Sequence, residues 1–395
     1  MKPCVLVLSS AYLPGYLAGG PVRSIANLIH RFGQDFTWKV ITRDRDFKSQ
    51  ASYGDVPIDR WCRVGSADVY YASPEALGAG RMLRLIRDTP HDLLYLNSFF
   101  DPRFSALPML ARKFGVLQRR PVLIAPRGEF SEGAYALKRW KKAPFVQIMS
   151  MFGVHTDADW HASTELEASD IRRVIGASDA QVHVASNLAA SEVLDGVEAK
   201  CSRGSELRVC FLSRISPKKN LDFALRVLAQ VRQPVSFTVY GPKEDGQHWA
   251  ECEQLVRALP AHIRFDYAGA IPHERVREEL AKHDLFFLPT RGENYGHVLV
   301  EAWSAGLPVL TGDQTPWREL EAKGVGWDLS LDSEARFVAT IDQVACWTEE
   351  AHQRSQVQCR SFIREHLQGE DDVSNNRRMF LSCASAPRSD FKKGG

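Results

Sequence analysis

The sequence predicts an α/β protein whose sheets are parallel and covered by helices on both faces. Three observations predict it. Apolar runs such as CVLVLS at 4–9, PVLIAP at 121–126 and DLFFLP at 284–289 do not alternate with polar residues, which marks strands buried on both sides. Between such runs lie stretches with apolar residues at helical spacing, for example Val22, Ile25, Ala26 and Ile29. Strand and helix then alternate along the chain, the rhythm of crossover-connected units.

The 395 residues are enough for two cores. A polar, Gly-containing stretch at 195–206, DGVEAKCSRGSE, is the best boundary, placing one domain over 1–200 and a second over 201–365. From about Ser382 the chain reads as a disordered tail, 382–395. Hydrophobic content of 44% and charged content of 25% are those of a soluble globular protein. No apolar run reaches a membrane span and no signal peptide is evident, so the expected location is cytoplasmic. Eight cysteines occur without a CxxC pair or histidines at zinc-ligand spacing, which predicts neither a disulfide scaffold nor a structural metal.

Taken in order, CVLVLS is the first strand. LAGGP at 17–21 is a loop ahead of a helix, where Gly19 and Gly20 either bring backbone N–H groups to a ligand or simply turn the chain. No GxGxxG fingerprint is present. WKVIT at 38–42 is a strand, 43–60 a loop, and Ala76–Arg87 a helix. DLLYLNSF carries the next strand, Arg103–Arg112 a helix, PVLIAP a strand and RGEFSEGA a loop. Arg127 and Glu129 stand at that strand end, suited to ligand contact. Residues 81–145 hold 13 Lys/Arg against 5 Asp/Glu. Within them, Lys138, Arg139, Lys141 and Lys142 interleave with Trp140 and Phe145. That pattern suits phosphate or an anionic membrane edge; the alternative is a solvated helical turn with Trp140 packed inward. No nucleic-acid reader motif is present. Residues 154–176 read as a strand end feeding a helix capped by Ser163 or Thr164, with His161 either facing a ligand or buried as a structural group. DAQVHVASN at 179–187 is a further strand.

In the second half, LRVCFLSR is a strand whose loop, SRISPKKN, brings Arg214, Lys218 and Lys219 to a helix N-terminus, an anion site by charge and by backbone N–H groups. VSFTVYG at 235–241 is a strand, followed by Gly241-Pro242 and a loop to Gly246. A helix at 249–258, the strand IRFDYAG and the helix IPHERVREELAKH follow. The stretch 289–313 then reads loop, helix and strand after the DLFFLP strand, with helices from about 334. Glu293 in that loop and Glu301 eight positions later are either ligand contacts or ordinary solvated glutamates. A helix running from Asn294 would carry Glu301 round to nearly the same side.

The GGP loop at 19–21, FLSRISPKKN at 211–220, YGP with a nearby DG at 240–246, and the pair Glu293–Glu301 followed by GLPVL come in the order of a known pattern. The chain resembles the retaining glycosyltransferases of family four, and within them bacterial enzymes that build surface polysaccharide. The resemblance implies a GT-B fold of two facing Rossmann-like domains, the first on the acceptor side, the second holding a UDP- or GDP-sugar, with a helix at 366–381 crossing back to the first. It implies no cofactor and no metal. Arg214 and Lys219 would neutralise the leaving diphosphate, aided by Gly19, Gly20, Gly241 and Pro242. Backbone N–H groups of Asn294, Tyr295 and Gly296 would approach sugar and phosphate, with Glu293 orienting the sugar and Glu301 the ribose. Transfer would retain the anomeric configuration, to a glycan or lipid-linked glycan acceptor. Asn97, Arg127, Glu129 and His161 are the acceptor-side candidates; where relatives place a histidine, this chain reads YLNSFF. The rivals are a synthase acting on a soluble sugar phosphate and an inactive nucleotide-sugar-binding subunit. The predicted location is the cytoplasm, with peripheral contact at the inner face of the membrane through 138–145.

Overall fold

The computed structural model describes residues 2–136, 139–188, 206–368 and 370–385. The chain divides into two compact units, Met1–Leu188 with Glu370–Gly395, and Ala189–Gly369. The 195–206 stretch lies almost wholly outside the described residues.

The first unit holds β1 (Cys4–Leu8), α1 (Gly20–Arg31), β2 (Thr37–Arg43), β3 (Trp61–Val64), β4 (Ala67–Ala72), α2 (Ala79–Asp88) and β5 (Leu93–Asn97). A π-helical turn, Pro102–Ala106, leads into α3 (Leu107–Lys113). Then come β6 (Val122–Ala125), α4 (Glu132–Ala136), α5 (Arg139–Met151), β7 (Asp159–Ala162), α6 (Glu165–Ile175) and β8 (Val182–Val184). The strands form one sheet in the order β3-β4-β2-β1-β5-β6-β7-β8, parallel except for β3 against β4. β1 is buried at Val5 to Leu8, as its unbroken apolar run predicts.

The second unit holds β9 (Leu207–Leu212), α7 (Leu221–Leu228), β10 (Val235–Tyr240), α8 (Gly246–Arg257), β11 (Ile263–Gly269), α9 (His273–Leu280), β12 (Leu285–Leu288), α10 (His297–Ala305), β13 (Val309–Gly312), β14 (Gly326–Leu329), α11 (Glu334–Ala345) and α12 (Glu349–Gln368). Its sheet is wholly parallel, in the order β11-β10-β9-β12-β13-β14. The last helix, α13 (Glu370–Ser385), belongs to the first unit, whose core takes up Met379, Phe380 and Cys383.

Several boundaries move. α2 starts at Ala79, after Gly78, not at Ala76. The helix expected at Arg103 opens as a π-helical turn in which the Ala106 N–H reaches the Asp101 carbonyl at 3.0 Å, capped by the Asp101 carboxylate accepting from the N–H groups of Arg103 and Phe104. α4 occupies part of the expected RGEFSEGA loop. Ser382 to Ser385 are the last turn of α13 and not tail, since Cys383 is buried against the sheet. β3, β4 and β14 are strands too short or too polar for periodicity to reveal.

Candidate functional site

In the second sheet, β9 has β10 on one side and β12 on the other, so the chain order reverses between β9 and β12. Open α/β sheets bind ligands at such a reversal, beyond the strands' carboxyl ends. The loops there are Ser213–Asn220 after β9 and Pro289–Gly296 after β12.

These loops are locked to each other by their own polar atoms. Asn220 sits at φ 64°, the left-handed region that Asn tolerates. Its Nδ2 donates to the Pro289 carbonyl at 3.0 Å, and Arg291 donates through Nε and Nη2 to its Oδ1, both at 3.1 Å. The Arg291 N–H donates to the Lys218 carbonyl at 2.9 Å. That lock presents Lys219 to Glu293, and the two form a largely buried ion pair. Burial by itself raises the Glu293 carboxyl. Lys219 and Lys218, with hydrogen bonds from Lys219 and Thr290, outweigh it and hold the group below the usual carboxylate range. Glu293 is thus an anion already matched by cations, not a solvated surface glutamate.

Arg214 is held by Glu244, Nη1 to Oε1 2.9 Å, a partner that periodicity and motif spacing missed. Gly241 has φ 131°, and a Cβ there would stand 1.9 Å from the Ser213 carbonyl oxygen. Only glycine permits this approach of the β10 end to the β9 end. Pro242 follows it, and its carbonyl accepts from the Ile215 N–H at 2.9 Å.

α10 begins at His297, not at Asn294. Gly296, at φ 80°, turns the chain into the helix, and Asn294 and Tyr295 belong to the loop. Glu301 is therefore little more than one turn inside the helix. It pairs with His273 at the start of α9, Nδ1 to Oε1 3.3 Å. His273 went unnoticed because nothing in IPHERVREELAKH distinguishes it from an ordinary helix-start residue.

In the first unit the reversal falls between β1 and β5. Gly19, at φ 73°, leads into α1, with Gly20 and Pro21 as its first residues. At the ends of β5 and β6, Arg127 has φ 56° and its guanidinium donates to Asn97 Oδ1 at 3.1 and 2.8 Å, Asn187 Oδ1 at 2.6 Å and Tyr95 Oη at 2.7 Å. Tyr95 Oη, accepting from Arg127, donates to His161 Nδ1 at 2.7 Å, so His161 carries its proton on Nε2, which donates to the Ala185 carbonyl at 2.8 Å. Burial first, and the Arg127 charge second, lower the His161 pKa to about 3. His161 is the neutral structural histidine of the two alternatives. Glu129 is likewise occupied: it accepts from Ser98 Oγ and the Phe99 N–H, each at 2.6 Å, and from the Phe100 N–H at 3.3 Å. The structure thus brings Asn97, Arg127 and His161 into one network and sets Glu129 to hold the backbone after β5.

Lys138 lies outside the described residues. Trp140 is 74% exposed with Lys141 Nζ 4.6 Å from its ring centre, so it does not pack inward. Phe145 does, against Phe99 and Phe100. Along α5 and just beyond it, Ile148, Met151 and Phe152 are also exposed, and Phe114 meets Phe152 at 6.2 Å. No helix among the described residues is long and apolar enough to cross a membrane.

Residues 198–356 match the family described as glycosyl transferases group 1. Over 120 residues the chain is 29% identical to the phosphatidylinositol N-acetylglucosaminyltransferase GPI3 subunit of Saccharomyces cerevisiae, covering 30% of this chain and 26% of that protein. The chain therefore spans about a quarter of the length of that curated relative. Among solved structures, HepE of Anabaena in complex with UDP and glucose superposes with a TM-score of 0.71 at 14% identity, covering 97% of this chain and all of that one. Sucrose-phosphate synthase of Thermosynechococcus elongatus gives 0.72 at 15%, covering 98% and 100%. At such identities these likenesses speak for the fold. The chain has the two Rossmann-like units of the GT-B fold, and the family match falls within its second unit.

Proposed function

We propose that the protein is a retaining glycosyltransferase that moves a hexose or N-acetylhexosamine from a UDP- or GDP-sugar to a hydroxyl of a glycan acceptor in polysaccharide assembly. The observation that carries this reading is the buried Lys219–Glu293 pair at the strand-order reversal, with Arg214 and Lys218 on the same loop.

In this reading the donor diphosphate rests against Arg214 and Lys219. Those two cations stabilise the charge that grows on the leaving oxygen, fixed in place before the reaction begins. Backbone N–H groups of Asn294, Tyr295 and Gly296 approach sugar and phosphate, and the turn at Gly241-Pro242 lets the donor come close to backbone. Glu293 takes hydroxyls of the sugar while Lys219 keeps it ionised, and Glu301 accepts from the ribose hydroxyls. Retention follows from front-face attack assisted by the departing phosphate, with neither glutamate acting as a hydrolase-type nucleophile. Asn97 and Arg127 are assigned to the acceptor side, along with the Gly19-Gly20 turn.

The exposed Trp140, Lys141 and the apolar residues of α5 support an acceptor carried on a lipid and contact with an anionic membrane at its cytoplasmic face. The GPI3 relative, whose name specifies a phosphatidylinositol acceptor, supports the same acceptor class.

The test is a titration of UDP- and GDP-sugars, followed by turnover of the bound donor with a polyprenyl-diphosphate-linked glycan and with soluble sugar phosphates. Arg214→Ala and Lys219→Ala should each lose donor affinity. Unchanged affinity and turnover in both would sink the site, and turnover with soluble acceptors alone would refute the lipid-linked one.

A further inference from the structure

β7 and β8 run parallel with His161 opposite His183. Alternate residues of a strand share a face, so Asp159, His161 and His183 lie on the same side of the sheet. That side is covered by α13, whose buried residues Asn376, Met379, Phe380 and Cys383 recur at helical spacing and whose Phe380 ring lies 5.2 Å from Tyr95. The packing brings three donor atoms together from elements 24 and 200 residues apart in sequence. His183 Nε2 is 2.9 Å from Asp159 Oδ1 and 3.8 Å from Cys383 Sγ, and all three atoms lie within 4.8 Å of one another.

We propose that Asp159, His183 and Cys383 form a site for a zinc-type divalent ion that ties the last helix to the sheet of the first unit. Zinc bonds of about 2.0–2.2 Å to nitrogen and oxygen and about 2.3 Å to sulfur put tetrahedral ligand atoms roughly 3.4–3.6 Å apart. The observed separations bracket that span, so small side-chain rotations admit the ion. A neutral imidazole nitrogen either donates one proton or offers one lone pair, and it cannot satisfy Asp159 and Cys383 together. An ion bound at Nε2 engages all three groups at once, and its arrival sends the Cys383 proton to solvent.

The donor set selects the metal. One thiolate, one imidazole and one carboxylate suit zinc, whereas magnesium and calcium take oxygen ligands. Asp159 and His183 keep 28% and 26% of their side-chain surface exposed, leaving water as the fourth ligand, while Cys383 is buried. The ion would couple docking of α13 to metal, as structural sites do. It takes no part in the proposed sugar transfer.

The experiment uses the full chain, stripped with chelator and titrated with cobalt(II). One equivalent should give a thiolate-to-cobalt charge-transfer band with tetrahedral ligand-field bands, bleached by zinc. Cys383→Ser and His183→Gln should abolish the charge-transfer band. Excess zinc should raise the unfolding midpoint of the parent by roughly 5 °C, and that of Cys383→Ser by nothing. Donor binding should be the same in both. Absence of the charge-transfer band in the parent overturns the proposal, and so does wild-type zinc stoichiometry in Cys383→Ser.

Discussion

Both units gather polar groups beyond the carboxyl ends of their strands, the second at its strand-order reversal and the first one strand further along, and use them differently. At the β9/β12 reversal the second unit concentrates charge: Lys219 against Glu293, with Lys218 and Arg214 on the same loop. Beyond β5 and β6 the first unit spends the Arg127 guanidinium on neutral acceptors, and neutralises His161 by burial. A site that exchanges a dianionic diphosphate needs cations whose partner can yield to the ligand. A wall against which a neutral sugar hydroxyl is positioned needs fixed geometry instead. The difference matches donor and acceptor duties in the proposed reaction.

The largest effect that tests this contrast comes from Lys219→Ala. It strands a buried carboxylate and should cost the second unit about 3–5 kcal/mol at neutral pH, read by urea unfolding. Adding Glu293→Ala should restore most of that stability and none of the donor affinity. If the double variant also regains donor binding, the pair is structural only.

Arg127→Ala comes next. It leaves Asn97, Asn187 and Tyr95 each short of a partner and should cost about 2–3 kcal/mol in the first unit, with donor affinity unmoved. A donor-affinity loss as large as that of Arg214→Ala would erase the division of labour drawn here.

Acid separates the two regions by window. His161 binds its proton in the unfolded chain near pH 6.5 and in the fold only near 3. Its contribution is therefore present above pH 6.5 and should fall, by up to about 1.4 kcal/mol per pH unit, between those values. Glu293 has a depressed carboxyl, so its contribution is present above the ordinary value of 4.5 and is lost only as pH falls through the lower folded value. Stability measured from pH 8 to 3 should lose its upper slope in His161→Phe; an unaltered slope assigns it elsewhere.

The smallest expected effects are at the edges. Glu301→Gln should weaken donor binding about 10-fold, the low end for one hydrogen bond to a charged group. Combined Trp140→Ala and Lys141→Ala should reduce binding to anionic vesicles while donor affinity stays at the parent value.

Unbroken apolar runs made β1, β6 and β12 readable, because a strand buried on both faces has no choice of composition. The charges of the 214–219 loop and of Glu293 were readable as standing beside strand ends, whereas Glu301 lies inside α10. Short strands such as β14 were not, because four residues carry too little pattern. The start of α10 at His297 was hidden too: a left-handed Gly296 decides it, and the preceding ENY is compatible with helix.

Local composition alone thus determined the α/β class, the two-unit division and the cationic character of the 214–219 loop, all properties of residues close in sequence. Only the tertiary structure decided which charges meet. Lys219 and Glu293 are 74 residues apart, Arg127 and Asn187 60, and Cys383 and His183 200. Such pairs depend on strand order and helix packing, which no spacing along the chain records.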